Sequence, residues 1–86
     1  MTTCKAIVNS PSGIHARPAS ELVNFTKQFT SKIFICNDTK KAAAGSIIMI
    51  LTLGAKKGTE LTVTAEGVDE AQAAKAVAEF IEGITE

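Results

Sequence analysis

Glu60-Leu61-Thr62-Val63-Thr64-Ala65-Glu66-Gly67-Val68-Asp69-Glu70 is the stretch whose reading decides the fold. From Glu60 to Glu66 polar and apolar residues alternate without a break, Leu61, Val63 and Ala65 against Thr62, Thr64 and Glu66. Side chains alternate across a strand, so a strict period of two predicts a strand buried on one face and wet on the other. Gly67 breaks the pattern, Asp69 is expected to cap a helix, and Glu70 puts a favourable charge in its first turn. Ala73, Ala74, Val77, Phe80 and Ile81 then recur at helical spacing as that helix's buried stripe, and Gly83 ends it.

Upstream the same alternation recurs twice. Thr3 to Val8 reads as a strand with Cys4, Ala6 and Val8 on one face, and Ser31 to Cys36 as another with Ile33 and Ile35 inward. Asn37-Asp38 is a hairpin signal lacking the usual glycine. The strand expected after it, Lys40 to Ala43, competes with a helical reading, because Ala42-Ala43-Ala44 is rich in helix former. Asn9-Ser10-Pro11-Ser12-Gly13 is dense in turn residues, and a helix follows from about Ala16 to Gln28 or Phe29, with Ala19, Leu22, Val23 and Phe29 at helical spacing. Ser46 is a natural N-cap for a short helix that Leu53-Gly54 closes, and Lys56-Lys57-Gly58 turns into the strand at Glu60.

Three alternating strands call for one covered sheet face, and three amphipathic helices can cover it. A right-handed strand–helix–strand crossover leaves a slot for the last strand between the first two. The expected fold is therefore α+β: an open-faced sandwich with a four-stranded antiparallel sheet, order 1-4-2-3, and three helices on one face. Residues 1–86 are expected to form one domain.

Composition narrows the function. Nine basic and nine acidic residues give zero formal charge, which argues against strong electrostatic attraction to nucleic acid or anionic membranes. The richest apolar run, Ile47 to Leu53, is too short to span a bilayer and Thr52 interrupts it, so no membrane insertion and a cytoplasmic location are expected. Cys4 and Cys36 with a single histidine make neither a disulfide framework nor a zinc site, so they read as reduced, small apolar side chains. Neither a metal nor a cofactor is expected.

The chemistry gathers in Ser12-Gly13-Ile14-His15-Ala16-Arg17-Pro18-Ala19, which holds the only histidine and the only arginine. Pro18 suits the first turn of a helix, so His15 stands at a helix start, where N–H groups and the dipole favour an anion. With no second histidine and no acid in the loop, a hydrolase triad is hard to assemble. Histidine as a nucleophile toward phosphorus is simpler. Its neutral ring carries a lone pair, and Arg17 with the helix amides, Ala16 among them, can hold phosphoryl oxygens. In the short helix spacing turns Ile50 and Leu53 inward, with help from Met49. Ile47, Ile48 and Leu51 cannot all follow, and exposed apolar patches commonly mark protein interfaces. A phosphate on Ser46 would add charge at a helix N-terminus beside that patch, changing docking without unfolding the chain.

Gly13-Ile14-His15-Ala16-Arg17-Pro18-Ala19 with Leu22-Val23, Ser46-Ile47 with Leu53-Gly54, and Gly67-Val68-Asp69-Glu70-Ala71 together resemble HPr, the histidine-containing phosphocarrier family of the bacterial sugar phosphotransferase system. The resemblance runs along essentially the whole chain. It implies a stoichiometric carrier, not a catalyst, that takes a phosphoryl group from enzyme I on Nδ1 of His15 and hands it to enzyme II A components. Arg17 would balance the phosphoryl charge, with Ser12 as an auxiliary anion contact. Ile47, Ile48 and Leu51, with Ser20, would form the docking surface of a monomer. Ser46 would be the target of HPr kinase/phosphorylase, linking the protein to a catabolite-control transcription regulator. Gly45 stands where relatives often carry lysine. A regulatory paralogue serving a nitrogen or other branch shares all of these motifs and stays open as the alternative.

Overall fold

The computed structural model describes residues 1–11 and 13–84, and its elements run β1 (Thr2–Ile7), α1 (Ala16–Thr26), β2 (Lys32–Asn37), β3 (Lys40–Ala43), α2 (Ile47–Thr52), β4 (Glu60–Glu66) and α3 (Glu70–Gly83). The strands form one antiparallel sheet of order β1-β4-β2-β3, as the alternation and the crossover rule require. Register explains the burial. Cys4 lies opposite Val63, Val63 opposite Ile35, and Ile35 opposite Ala42, so one row of small and branched side chains crosses the whole sheet beneath the helices. Leu61, Val63, Ala65, Ile33 and Ile35 are all buried, whereas Thr62, Thr64 and Phe34 on the other face are half-exposed. Pairing with β2 holds the Ala42-Ala43 segment extended against its helical propensity.

α3 packs on β1, β4 and β2, α2 packs on β3, and α1 packs against both other helices. Leu22, Ile50, Leu53, Val77 and Ile81 are the large side chains that close the core from the helix side.

Four expectations need correction. α1 stops at Thr26, short of Gln28 or Phe29. The Thr26 hydroxyl bonds back to the Val23 carbonyl at 2.8 Å, and the Lys27 and Phe29 amides reach only three residues back, which tightens and ends the helix. Phe80 is half-buried, stacked on Phe25 with centroids 4.6 Å apart, and Ala78 takes the buried position on α3 instead. Met49 is exposed. It lies about 100° round the helix from Ile50, and α2 is too short for a broad inward face. Asp69 occupies the N-cap position of α3 but makes no cap bond. Its carboxylate accepts instead from the Thr30 amide at 3.0 Å, the Ser31 amide at 2.9 Å and the Ser31 hydroxyl, tying the α1–β2 connection to the start of α3.

Candidate functional site: the His15 loop and the α2 face

The loop between β1 and α1 hangs from two remote anchors. On one side Asn9 donates its Nδ2 to the Glu82 carbonyl at 2.9 Å, and the Glu82 carboxylate accepts the Ile7 amide at 3.0 Å. On the other, the Ile14 amide donates to the Ala55 carbonyl at 3.1 Å, and Ile14 is buried. Between them the Gly13 amide closes a turn onto the Ser10 carbonyl at 3.0 Å. Gly13 has φ +71°, and a Cβ there would press on the Ala55 carbonyl oxygen, well inside the 3.0 Å that real Cβ atoms respect. Only glycine meets both demands. Ala55, Asn9 and Glu82 were not legible from the sequence, because they meet the loop across long stretches of chain. The loop therefore spans the gap between the exit of α2 and the end of α3.

His15 is delivered by this loop as the N-cap residue of α1, with extended backbone at φ −105° and ψ −170°. Its carbonyl accepts the Ala19 amide at 3.0 Å, the first bond of the helix, while its imidazole makes no capping bond. His15, Ala16 and Arg17 are exposed, and Pro18 and Ala19 are buried. The helix is thus anchored by its underside and presents a nucleophilic ring, a guanidinium and the positive end of its dipole to solvent. No acidic side chain stands in the first turn to neutralise that end. Such a setting holds a phosphoryl group well. Ser20, one turn further, is half-buried, and Ser12 lies outside the described residues.

α2 brings the second feature alongside. The Ser46 hydroxyl accepts the Met49 amide at 3.3 Å, the expected N-cap. At the other end Lys40 Nζ reaches the Thr52 carbonyl at 3.5 Å and Asn37 Nδ2 the Leu53 carbonyl at 2.7 Å, so a cation and an amide satisfy carbonyls the helix end leaves open. Ile50 is 1% exposed, but Ile47, Ile48, Met49 and Leu51 are 38%, 75%, 41% and 38% exposed. Because α2 packs on α1 and its exit at Ala55 holds Ile14, the apolar patch lies beside the loop carrying His15. Among the described residues no three His, Cys, Asp or Glu gather as metal ligands would, and no helix is long and apolar enough to cross a membrane.

Known proteins are similar to this chain in sequence and in fold. The chain is 45% identical over 78 residues to the multiphosphoryl transfer protein of Salmonella typhimurium, a match covering 87% of this chain and 21% of that protein. It therefore spans about a fifth of the length of the multiphosphoryl transfer proteins it matches. It is 38% identical to the phosphocarrier protein HPr of Borreliella burgdorferi, with all of both chains covered. The solved structure of HPr-C-His from Thermoanaerobacter tengcongensis superposes with a TM-score of 0.87 at 38% identity, covering 95% of this chain and 92% of that one. The family model described as "PTS HPr component phosphorylation site" matches residues 2–83, the exposed histidine at the helix start included, and the chain belongs to the HPr phosphocarrier family.

Proposed function

We propose that residues 1–86 act as one phosphocarrier unit of the sugar phosphotransferase system, phosphorylated on Nδ1 of His15 by enzyme I and discharged to enzyme II A components in the cytoplasm. The observation that carries this reading is the His15 side chain: exposed, at the start of α1, and not spent on capping the helix. In the transfer the ring nitrogen's lone pair attacks phosphorus, an N–P bond forms, and the donor's bond to phosphorus breaks with its electron pair. Arg17 and the Ala16 amide balance the charge of the phosphoryl oxygens, with Ser12 as an auxiliary contact. No water-activating base is required, which suits a carrier that is consumed and regenerated.

Ile47, Ile48 and Leu51, with Ser20, form the surface on which donor and acceptor dock in turn, and exposed apolar side chains beside the histidine support that role. Ser46 is the regulatory phosphosite. Its hydroxyl already accepts the Met49 amide, so a phosphate would replace a neutral cap by about two negative charges at the edge of the patch. HPr kinase/phosphorylase would write that mark and a catabolite-control transcription regulator would read it. Intact-mass measurement tests both sites. Phosphoenolpyruvate with enzyme I should add one acid-labile phosphate that His15→Ala lacks, and ATP with the kinase one acid-stable phosphate that Ser46→Ala lacks. Label retained in His15→Ala would refute the carrier assignment.

A further inference from the structure

We infer that Met49 is an oxidation-sensitive position on the α2 face, where a hydroperoxide or hypochlorous acid converts the thioether to a sulfoxide and weakens docking. The inference rests on the reading of that face as the docking surface. Its branched aliphatic members, Ile47, Ile48 and Leu51, are inert to such reagents, so the sulfur of Met49 is the one oxidisable atom of the patch.

Two features hold Met49 where a reagent meets it. Its amide donates to the Ser46 hydroxyl at 3.3 Å, and its carbonyl accepts from the Thr52 hydroxyl at 2.7 Å, so its backbone is pinned at both ends of the short helix. Its neighbour Ile50 takes the inward position and leaves Met49 41% exposed. The chemistry closes without a cofactor. With a hydroperoxide the sulfur lone pair attacks the distal oxygen, an S–O bond forms and the O–O bond breaks. With hypochlorous acid it attacks chlorine, and the O–Cl bond breaks with loss of hydroxide. Water then forms the S–O bond as chloride leaves, and its protons pass to solvent. Water, alcohol or chloride departs, the sulfur losing two electrons and the oxidant gaining them. The product is polar and chiral where the patch was apolar, and a methionine sulfoxide reductase drawing on a dithiol reverses it. A partner that covers this face must then bury an S=O acceptor it was not shaped to satisfy.

The cysteines sit elsewhere. Cys4 and Cys36 are both half-buried on sheet strands, and Met1, the other methionine, lies at the start of the chain beside Glu70. The experiment uses the full chain, treated with hypochlorous acid and then with dithiothreitol to restore thiols, Met49 sulfoxide being verified by peptide mass. The KM for phosphorylation of His15 by enzyme I should rise by about five- to tenfold with kcat little changed, and sulfoxide reductase should restore it. The Met49→Leu protein, compared before and after the same treatment, should show no change. A verified sulfoxide with an unmoved KM overturns the inference, as does an equal rise in Met49→Leu or a Met49 that resists the oxidant. Absence of His15 label in the untreated protein would instead refute the carrier reading, and this inference with it.

Discussion

Gly13→Ala and Gly54→Ala form a matched pair that separates two costs usually confounded. Both glycines have left-handed backbone, φ +71° and +63°. A Cβ at Gly54 meets nothing within 4 Å, so the alanine there bears only the conformational penalty of about 1–2 kcal/mol. At Gly13 the Cβ meets the backbone at Ala55 and stands 3.1 Å from Lys56 Cα. Neither neighbour is the tip of a flexible side chain, so the loop must retreat. Retreat strains the 3.1 Å bond from the Ile14 amide to the Ala55 carbonyl, and a bond lost at a buried residue costs about 1–3 kcal/mol. Gly13→Ala is therefore expected to destabilise by about 1–3 kcal/mol more than Gly54→Ala, at about 4–8 °C per kcal/mol in a domain of this size. Urea unfolding followed by far-ultraviolet circular dichroism, with equal m-values, measures the difference. The same displacement moves His15, so Gly13→Ala should also slow phosphorylation in the folded population while Gly54→Ala does not. Equal midpoints for the two variants would refute the argument that the Ala55 contact positions the loop.

Two further outcomes follow from the polar groups around the sheet ends. Ser10 is fully buried and its hydroxyl has no hydrogen-bond partner among the described residues, so Ser10→Ala should raise stability by about 1 kcal/mol, and a lower urea midpoint would contradict the accounting. Asp69 is held below its ordinary 3.8 chiefly by the Ser31 hydroxyl, and Glu70 below 4.5 chiefly by the Thr2 hydroxyl. Folded-state values that lie lower mean stability fully present above 4.5 and lost progressively as pH falls past the ordinary values toward the depressed ones. The urea midpoint should fall across that range, and the Asp69→Asn, Glu70→Gln double variant should flatten the fall; an unchanged slope would assign acid sensitivity elsewhere.

What was legible in the sequence shares one property: it depends on neighbours within a single turn or strand. The alternation from Glu60 to Glu66, the helix start after His15 and the Ser46 cap all depend on near neighbours, and each is present as expected. The misread features depend on distant partners. Asp69 looks like a cap until Thr30 and Ser31, some 38 residues away, offer three donors to its carboxylate. Phe80 has the spacing of a core residue, but Phe25 on α1 gives it a stacked seat near the surface. The anchors of the His15 loop are likewise invisible locally, since Glu82 lies 73 residues from Asn9. Periodicity identifies which face is buried; it does not identify what the face meets.

On the proposed carrier role, the division of labour around His15 should let chemistry and stability be altered separately. The residues that hold the loop work through packing and main-chain bonds at Gly13 and Ile14, and through side chains that bond to the main chain at Asn9 and Glu82. His15 is exposed and makes no capping bond, so on the proposed carrier role His15→Ala should remove reactivity at small cost to the fold. α2 repeats the pattern, with Ile50 and Leu53 inward as its attachment and Ile47, Ile48, Met49 and Leu51 left to solvent. Burying apolar surface is worth about 25 cal/mol per Å², so a six-residue helix that leaves four large apolar residues exposed forgoes stabilisation its fold could have used. A protein surface recovers that energy only on association, and on the proposed carrier role this is the physical reason for a patch beside the histidine that successive partners would reach.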